Sequence, residues 1–200
     1  MLRYPVSVLL MLSLALTFAA EAEAGVLGKK KKGLKGRYLE YSDSADFASY
    51  RGALIVLDAA EIVSDKDRPV DSEAVRSTSD EMLRSELDGL RLFGDVVAQM
   101  PLEPPADQPI VRVSTKLTLQ HGSQAMRFFV GGGAGKSKLH IVIELTDVRS
   151  GSRLGTFNGY GTGAGFFSFS GGGVQRMARD DLQENYDAFS GYLRQLVSGE

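Results

Sequence analysis

The feature that most constrains the fold is a strict alternation of apolar and polar residues over Ile110–Gln120. A period of two is typical of a strand with one buried face. The run Leu139–Val148 repeats the pattern, although Val142 interrupts its polar side, and a Ser-Gly-Ser turn then leads to a third strand near Leu154–Gly161. We therefore predict three consecutive antiparallel strands.

Two segments rich in glycine and phenylalanine adjoin these strands, over residues 121–138 and 161–173. Because successive antiparallel strands reverse direction, both segments leave the sheet at the same end. Their glycines allow close backbone approach at an entropic cost. The aromatic residues form either a small local core or an exposed apolar interface. The candidate interface residues are Phe128, Phe129, Val130, Phe166, Phe167 and Phe169.

Upstream of this region the sequence predicts two further strands. Ala53–Leu57 is a continuous apolar run, typical of a strand that is covered on both faces. Leu92–Val97 resembles a short strand. We interpret Arg37–Tyr50 as an irregular segment packed by its aromatics, and Ser64–Pro69 as a polar loop. The sheet is therefore expected to have about five strands.

Two helices complete the prediction. Ser79–Leu90 carries leucines at helical spacing, with Ser77 or Ser79 as the N-cap, and Val174–Leu196 carries a longer apolar stripe. These elements predict an α+β fold: a two-layer domain, residues 38–200, with a mixed, mostly antiparallel sheet and both helices on one face. Residues expected in its core include Leu117, Ile141, Ile143 and Leu182.

The N-terminal segment has the pattern of an export signal. Arg3 precedes an apolar run over Val6–Ala20, and Ala22-Glu23-Ala24 follows. We predict cleavage near Ala24, which removes residues 1–24, with cleavage after Ala22 as the alternative, and a location in the periplasm or elsewhere in the cell envelope. The chain contains no cysteine, so disulfides and acylation at a lipobox cysteine are excluded. On this ground we predict an exported protein that is not lipid-anchored.

A basic segment follows the predicted cleavage site. It contains six basic residues and no acid, whereas residues 38–200 hold 23 acidic and 16 basic side chains. Residues 25–37 are therefore expected to form a flexible basic arm, which is either simply solvated or attracted to anionic membrane surfaces at about 1 kcal/mol per cation. The candidate membrane-surface residues are Lys29, Lys30, Lys31, Lys32, Lys35 and Arg37.

No catalytic, cofactor-binding or metal site is predicted. The stretch Val130–Ser137 resembles a phosphate-binding loop, but it has valine where glycine is required and leads into a strand instead of a helix. His121 and His140 flank one loop, and either could serve as a general base only with a partner nearby. Nucleotide and nucleic acid are not expected as partners.

The central residues resemble a known family. The run Gly122-Ser123-Gln124-Ala125-Met126-Arg127, the aromatic pair and glycines that continue to Gly135, and Asp147 with Gly151 at the next turn are similar to an uncharacterised bacterial envelope family, domain of unknown function 4410. The resemblance implies a bacterial envelope protein of this fold. It brings no catalytic residues.

Two classes of function remain open at this point. The first is a non-enzymatic envelope module that binds a protein partner, another copy of itself or the cell-envelope surface, with the glycine- and phenylalanine-rich end of the sheet as the candidate interface. The second is a small-ligand-binding or hydrolytic site at the same end. Convergence of His121, His140 and a carboxylate within hydrogen-bond reach would favour the second.

Overall fold

The computed structural model describes residues 27–32, 36–42, 45–64, 71–120, 138–161 and 173–199, with the backbone alone for 27–32 and 173–178. The described elements are β1 Leu27–Lys32, β2 Tyr38–Ser42, a 3-10 helix Phe47–Tyr50, β3 Leu54–Leu57, β4 Glu61–Ser64, α1 Ser72–Leu90, β5 Val96–Val97, β6 Ile110–Gln120, β7 Lys138–Asp147, β8 Arg153–Gly161 and α2 Gly173–Ser198.

The strands form one mixed sheet in the order β1-β2-β8-β7-β6-β3-β5, and β4 also pairs with β6, beyond the end of β3. Strands β6, β7 and β8 form the predicted antiparallel meander. Strands β3 and β4 both pair with β6 in parallel. The α+β class is therefore confirmed, with antiparallel pairs in the centre and parallel pairs at one side.

The main core lies between the sheet and the two helices. Alternate residues of the meander are buried together with the apolar stripes of α1 and α2. The predicted core residues Leu117, Ile141, Ile143 and Leu182 are at most 3% exposed. Ser79 of α1 and Tyr186 of α2 are also fully buried and share a hydrogen bond of 2.5 Å. Burial raises the pKa of the Tyr186 phenol, so this bond joins two neutral groups.

The sheet has eight strands among the described residues, not about five. Strand β2 was predicted to be irregular, yet Leu39 is buried and its neighbours pair with β8. Strand β4 contains only two apolar residues, and pairing with β6 gives it the extended conformation. Strand β1 replaces part of the predicted flexible arm. Tertiary pairing thus determines these three strands more than their local composition does.

Helix α1 is longer than predicted. It begins at Ser72, because the Asp71 side chain accepts a hydrogen bond of 3.1 Å from the Ala74 N–H and so caps the first turn. The serines at 77 and 79 lie inside the helix and are not its caps. The first two turns have no wide apolar stripe, so the spacing of the leucines predicted only the C-terminal part of the helix.

A small apolar cluster covers part of the other face of the sheet. Leu54, Val56 and Ile110 are buried there against Val97, Met100 and Val148. The proline-rich connector lies beside it, where the Arg149 guanidinium donates hydrogen bonds to the Pro105 and Gln108 carbonyl oxygens at 2.5 and 3.0 Å. The proline-rich connector therefore packs beside this part of the sheet.

The β7–β8 turn is organised by Asp147. Its carboxylate accepts hydrogen bonds from the Arg149 and Ser150 N–H groups at 2.7 and 2.9 Å and from the Tyr50 hydroxyl at 2.7 Å. Burial raises the pKa of Asp147, but these hydrogen bonds outweigh it and hold the pKa below the ordinary value. Gly151 closes the turn with φ +71°, a conformation that favours glycine.

We expect Tyr50→Phe to remove about 1 kcal/mol of stability at neutral pH, since it deletes one hydrogen bond to a partly exposed carboxylate. Because the folded pKa of Asp147 is lowered, the stabilisation is present above the unfolded pKa of about 3.9 and is lost as the pH falls through the folded pKa. Chemical unfolding of both proteins across the acid range measures this. A difference that stays constant down to about pH 2 would contradict it.

The two faces of β7 give a second prediction. Ile141 is fully buried, so Ile141→Ala should cost about 2 to 5 kcal/mol through lost burial and a residual cavity. Val142 lies on the opposite face and is half-buried, so Val142→Ala is the matched control and should cost clearly less. Equal losses in urea unfolding would show that the assignment of the faces is wrong.

Candidate interaction site at the loop end of the sheet

The register of the strands defines one end of the sheet, which we call the loop end. Gln120 pairs with Lys138, and Leu139 pairs with Gly161. Segments 121–137 and 162–172 therefore leave the sheet at neighbouring positions. The six candidate interface residues belong to these two segments and lie outside the described residues.

Four residues form a row across the sheet at this end, on the face away from the helices. Val63, Thr118, His140 and Tyr160 are consecutive register partners on β4, β6, β7 and β8. We call them the open-face row. Val63 is 38% and Tyr160 43% exposed, and the two are among three large hydrophobic residues that are exposed in the described part of the chain. The row is a partly exposed, partly aromatic strip.

His140 is held by its neighbour on β8 and not by an acid. Its ring stacks on Tyr160 with centroids 4.5 Å apart and an interplanar angle of 10°. Its Nε2 atom is buried, and no described residue offers that atom a hydrogen bond. His121 lies outside the described residues. The described residues thus show the histidine in an aromatic contact, without the neighbouring carboxylate that acid–base chemistry would require.

A polar cluster supports the loop end from the helix side. The Arg37 side chain is 9% exposed and donates from Nε to Asn185 Oδ1 at 2.9 Å and from NH2 to Glu184 Oε2 at 2.8 Å. Asn185 donates in turn to the Asp181 carbonyl oxygen at 2.6 Å. The Tyr192 hydroxyl donates to the Arg37 carbonyl oxygen at 3.2 Å. Burial raises the pKa of Tyr192, against an opposing effect of the Arg37 charge.

Glycines on β8 make room for this cluster. A Cβ atom at Gly159 would lie 2.2 Å from Asn185 Oδ1, and one at Gly161 would lie 2.8 Å from the Asp181 carboxyl carbon. These glycines and Phe157 alternate on the face that packs on α2. Glycine at alternate positions of a strand is the sequence signal that could have indicated close approach of polar side chains from another element.

The structure separates the residues of the predicted basic arm. Lys29–Lys32 lie in β1, and Lys35 lies outside the described residues. Arg37 is buried in the polar cluster, so its assignment to a membrane-surface arm was wrong. Sequence composition grouped Arg37 with the lysines, whereas its hydrogen-bond acceptors on α2 hold it inside the domain.

Other features of the described residues offer no alternative site. No three potential metal-ligating side chains come together among them. An apolar cavity between the helices and the sheet, lined by residues that include Phe47, Leu87 and Val197, measures about 10 Å³ and is too small for a ligand. None of the described helices is long and apolar enough to cross a membrane.

The part of the chain that holds the meander and its Asp147 turn matches a known family. The family described as Domain of unknown function (DUF4410) matches residues 57–165, which is more than half of the chain. The protein therefore belongs to this family, as the resemblance of its central residues indicated. The comparison with curated proteins gives no match.

Solved structures give more distant similarities. A PelC dodecamer from Paraburkholderia phytofirmans is 13% identical, with a TM-score of 0.42 and coverage of 74% of this chain and 94% of that one. Protein XCC0632 from Xanthomonas campestris is 11% identical, with a TM-score of 0.41 and coverage of 75% and 88%. A minor lipoprotein from Acinetobacter baumannii is 12% identical, with a TM-score of 0.39 and coverage of 74% and 94%.

The lipoprotein among these neighbours contradicts our prediction of an exported protein that is not lipid-anchored, and we withdraw that prediction. The prediction depended on the absence of cysteine from the sequence. That absence excludes one chemistry of attachment and not association with lipid in general. At these identities and TM-scores we draw no argument about function from the neighbours.

The polar cluster yields a test of its own. Arg37→Met keeps most of the side-chain volume but leaves Asn185 Oδ1 buried without its donor, so we expect a loss of about 1 to 3 kcal/mol. The matched control is Glu184→Gln, which alters the half-exposed partner and should cost less than about 1 kcal/mol. Both are measured by thermal and chemical unfolding. Wild-type stability in Arg37→Met would contradict the assigned role of the cluster.

Proposed function

We propose that this protein is a non-enzymatic interaction module of the bacterial cell envelope, and that it binds a protein partner or another copy of itself at the loop end of the sheet. The observation that carries the proposal is the strand register, which brings the attachment points of both phenylalanine-rich segments to adjacent strands. Five of the ten phenylalanines in the chain belong to these two segments.

The open-face row adds described residues to this proposal. It continues from the same strand ends across four strands and exposes Tyr160 and Val63. Aromatic residues are enriched in the buried centres of protein interfaces, because one rigid side chain contributes a large contact area. A partner that covers the row would bury the stacked rings of His140 and Tyr160 together with Val63.

The arrangement around His140 supports an interaction module over the alternative of a hydrolytic or small-ligand site. A general base needs a hydrogen-bonded partner to orient it, whereas the described contact of this ring is a stack on Tyr160. On the same face, Glu61 is engaged in an ion pair with Lys116 at 2.8 Å. These contacts support the proposal of a recognition surface.

The double change Phe167→Ser with Phe169→Ser tests the proposal. If these residues form an interface, we expect the melting temperature to stay nearly unchanged while self-association through the loop end, or capture of a partner from an envelope fraction, is lost and a smaller species sediments. Tyr160→Ser should act in the same direction, since its ring is exposed. Sedimentation velocity and thermal unfolding provide the two readouts.

Phe157→Ser is the matched control for the same kind of substitution. Its ring is fully buried against α2, so this variant should lose several kcal/mol of stability. A fall in melting temperature of the loop variant, with the monomer unchanged, would instead assign its aromatics to a local core. Unchanged melting together with unchanged association would refute both interpretations.

A further inference from the structure

The sheet has an unpaired edge on each side. Among the described residues, β1 pairs only with β2, and β4 pairs only with β6. Unpaired edges present backbone N–H and C=O groups that can pair with another chain. Within the described part of the chain, no strand pairs with these two edges, although the Ala60 backbone just before β4 is bonded to α1.

Strand β1 carries a strong positive charge. Its sequence is Leu-Gly-Lys-Lys-Lys-Lys, so four of its six residues are lysine. Like charges that lie opposite each other destabilise a strand pair. The β1 edges of two copies are therefore poor partners for each other, and a strand bordered by acids is a better partner.

Strand β4 has such a border. The Glu61 side chain on the strand is 61% exposed, although it contacts Lys116. Helix α1 is held beside β4, since the Ala60 N–H donates to Asp80 Oδ1 at 3.0 Å and Arg76 donates to the Ala60 carbonyl oxygen at 3.0 Å.

The first turn of α1 adds one exposed acid to this border. It is Glu73, whose side chain is 79% exposed and pairs at 2.6 Å with Arg76, the residue that donates to the Ala60 carbonyl oxygen. Two exposed acids, Glu61 and Glu73, therefore flank the β4 edge, and each forms one ion pair within its own chain.

The strand directions are compatible with a contact between the two edges. Strand β4 is parallel to β6, and four successive antiparallel pairs from β6 through β7, β8 and β2 make β1 parallel to both. A second copy in the same orientation would therefore add its β1 to β4 as a parallel strand. Strand β4 already pairs in parallel on its other side.

We propose that β1 of one copy adds to the β4 edge of a second copy, which brings the lysine-rich strand next to the acids that border β4. The contact is heterologous, because different edges meet, so repetition closes a ring or extends a filament. The surface is distinct from the loop end, and the proposal does not depend on the phenylalanine-rich segments.

Cysteine cross-linking tests the pairing directly, because the chain contains no native cysteine. Lys30 and Val63 are chosen because their register partners, Glu40 and Thr118, belong to the same face of the sheet. A mixture of full-length Lys30→Cys and Val63→Cys proteins, treated with a short bismaleimide, should give a cross-linked dimer. Leu102→Cys replaces Val63→Cys as the control, since Leu102 is fully exposed in the proline-rich connector, and it should give none.

Charge reversal tests the electrostatic part. Lys30→Glu with Lys32→Glu, and separately Glu61→Lys, should each weaken association about tenfold or more in sedimentation at about 0.05 M NaCl, where screening is weak. The register places all three positions on the same face of the sheet. A mixture of the two reversed proteins should recover association. A monomeric wild-type protein, equal cross-linking of Leu102→Cys, or no recovery in the mixture would overturn the proposal.

The loop-end variant separates this contact from the proposed function. The Lys30–Val63 cross-link should persist when Phe167→Ser and Phe169→Ser are added to both proteins. Loss of the cross-link in that background would overturn the edge proposal, because it would place the contact between copies at the loop end.

Discussion

The structure depends on burial of one face of the β6–β7–β8 meander beneath α1 and α2. Ile141 and Ile143 at its centre are fully buried, and the residues that pair with them on β6 and β8 complete the same layer. With no disulfide available, this burial is the main source of stability. Ser79 and Tyr186 then fix how the two helices meet, because a buried hydroxyl pair must be satisfied within the core.

The close approach of α2 to β8 is what ties the N-terminal part of the chain to the body. Gly159 and Gly161 leave space in which Asn185 and Asp181 approach the sheet, and Asn185 accepts the Arg37 guanidinium. Larger residues on this strand would separate the helix from the sheet. The buried Arg37 guanidinium would then lose part of its hydrogen-bond acceptors. The same glycines thus serve both packing and electrostatics.

The sequence predicted those helices and strands whose local residue pattern matches their position in the folded protein. The alternation over Ile110–Gln120 identified β6 with its observed bounds, and the leucines of α1 identified its buried half. It did not predict β1 or β4, because a lysine run and a four-residue strand acquire their conformation from a neighbour. Nor could composition distinguish Arg37 from the lysines before it. The aromatic candidates of the loop end rest on sequence and strand register alone.

The bond between Arg37 and Asn185 joins residues 148 positions apart in the chain. Closing so long a loop is entropically costly, and contacts of this kind form late in folding. We therefore expect strand β2, and with it β1, to join the sheet only after β8 and the C-terminal helix are in place. Until then the edge of β8 is open to strands of other chains, which makes the last step of folding the step most exposed to aggregation.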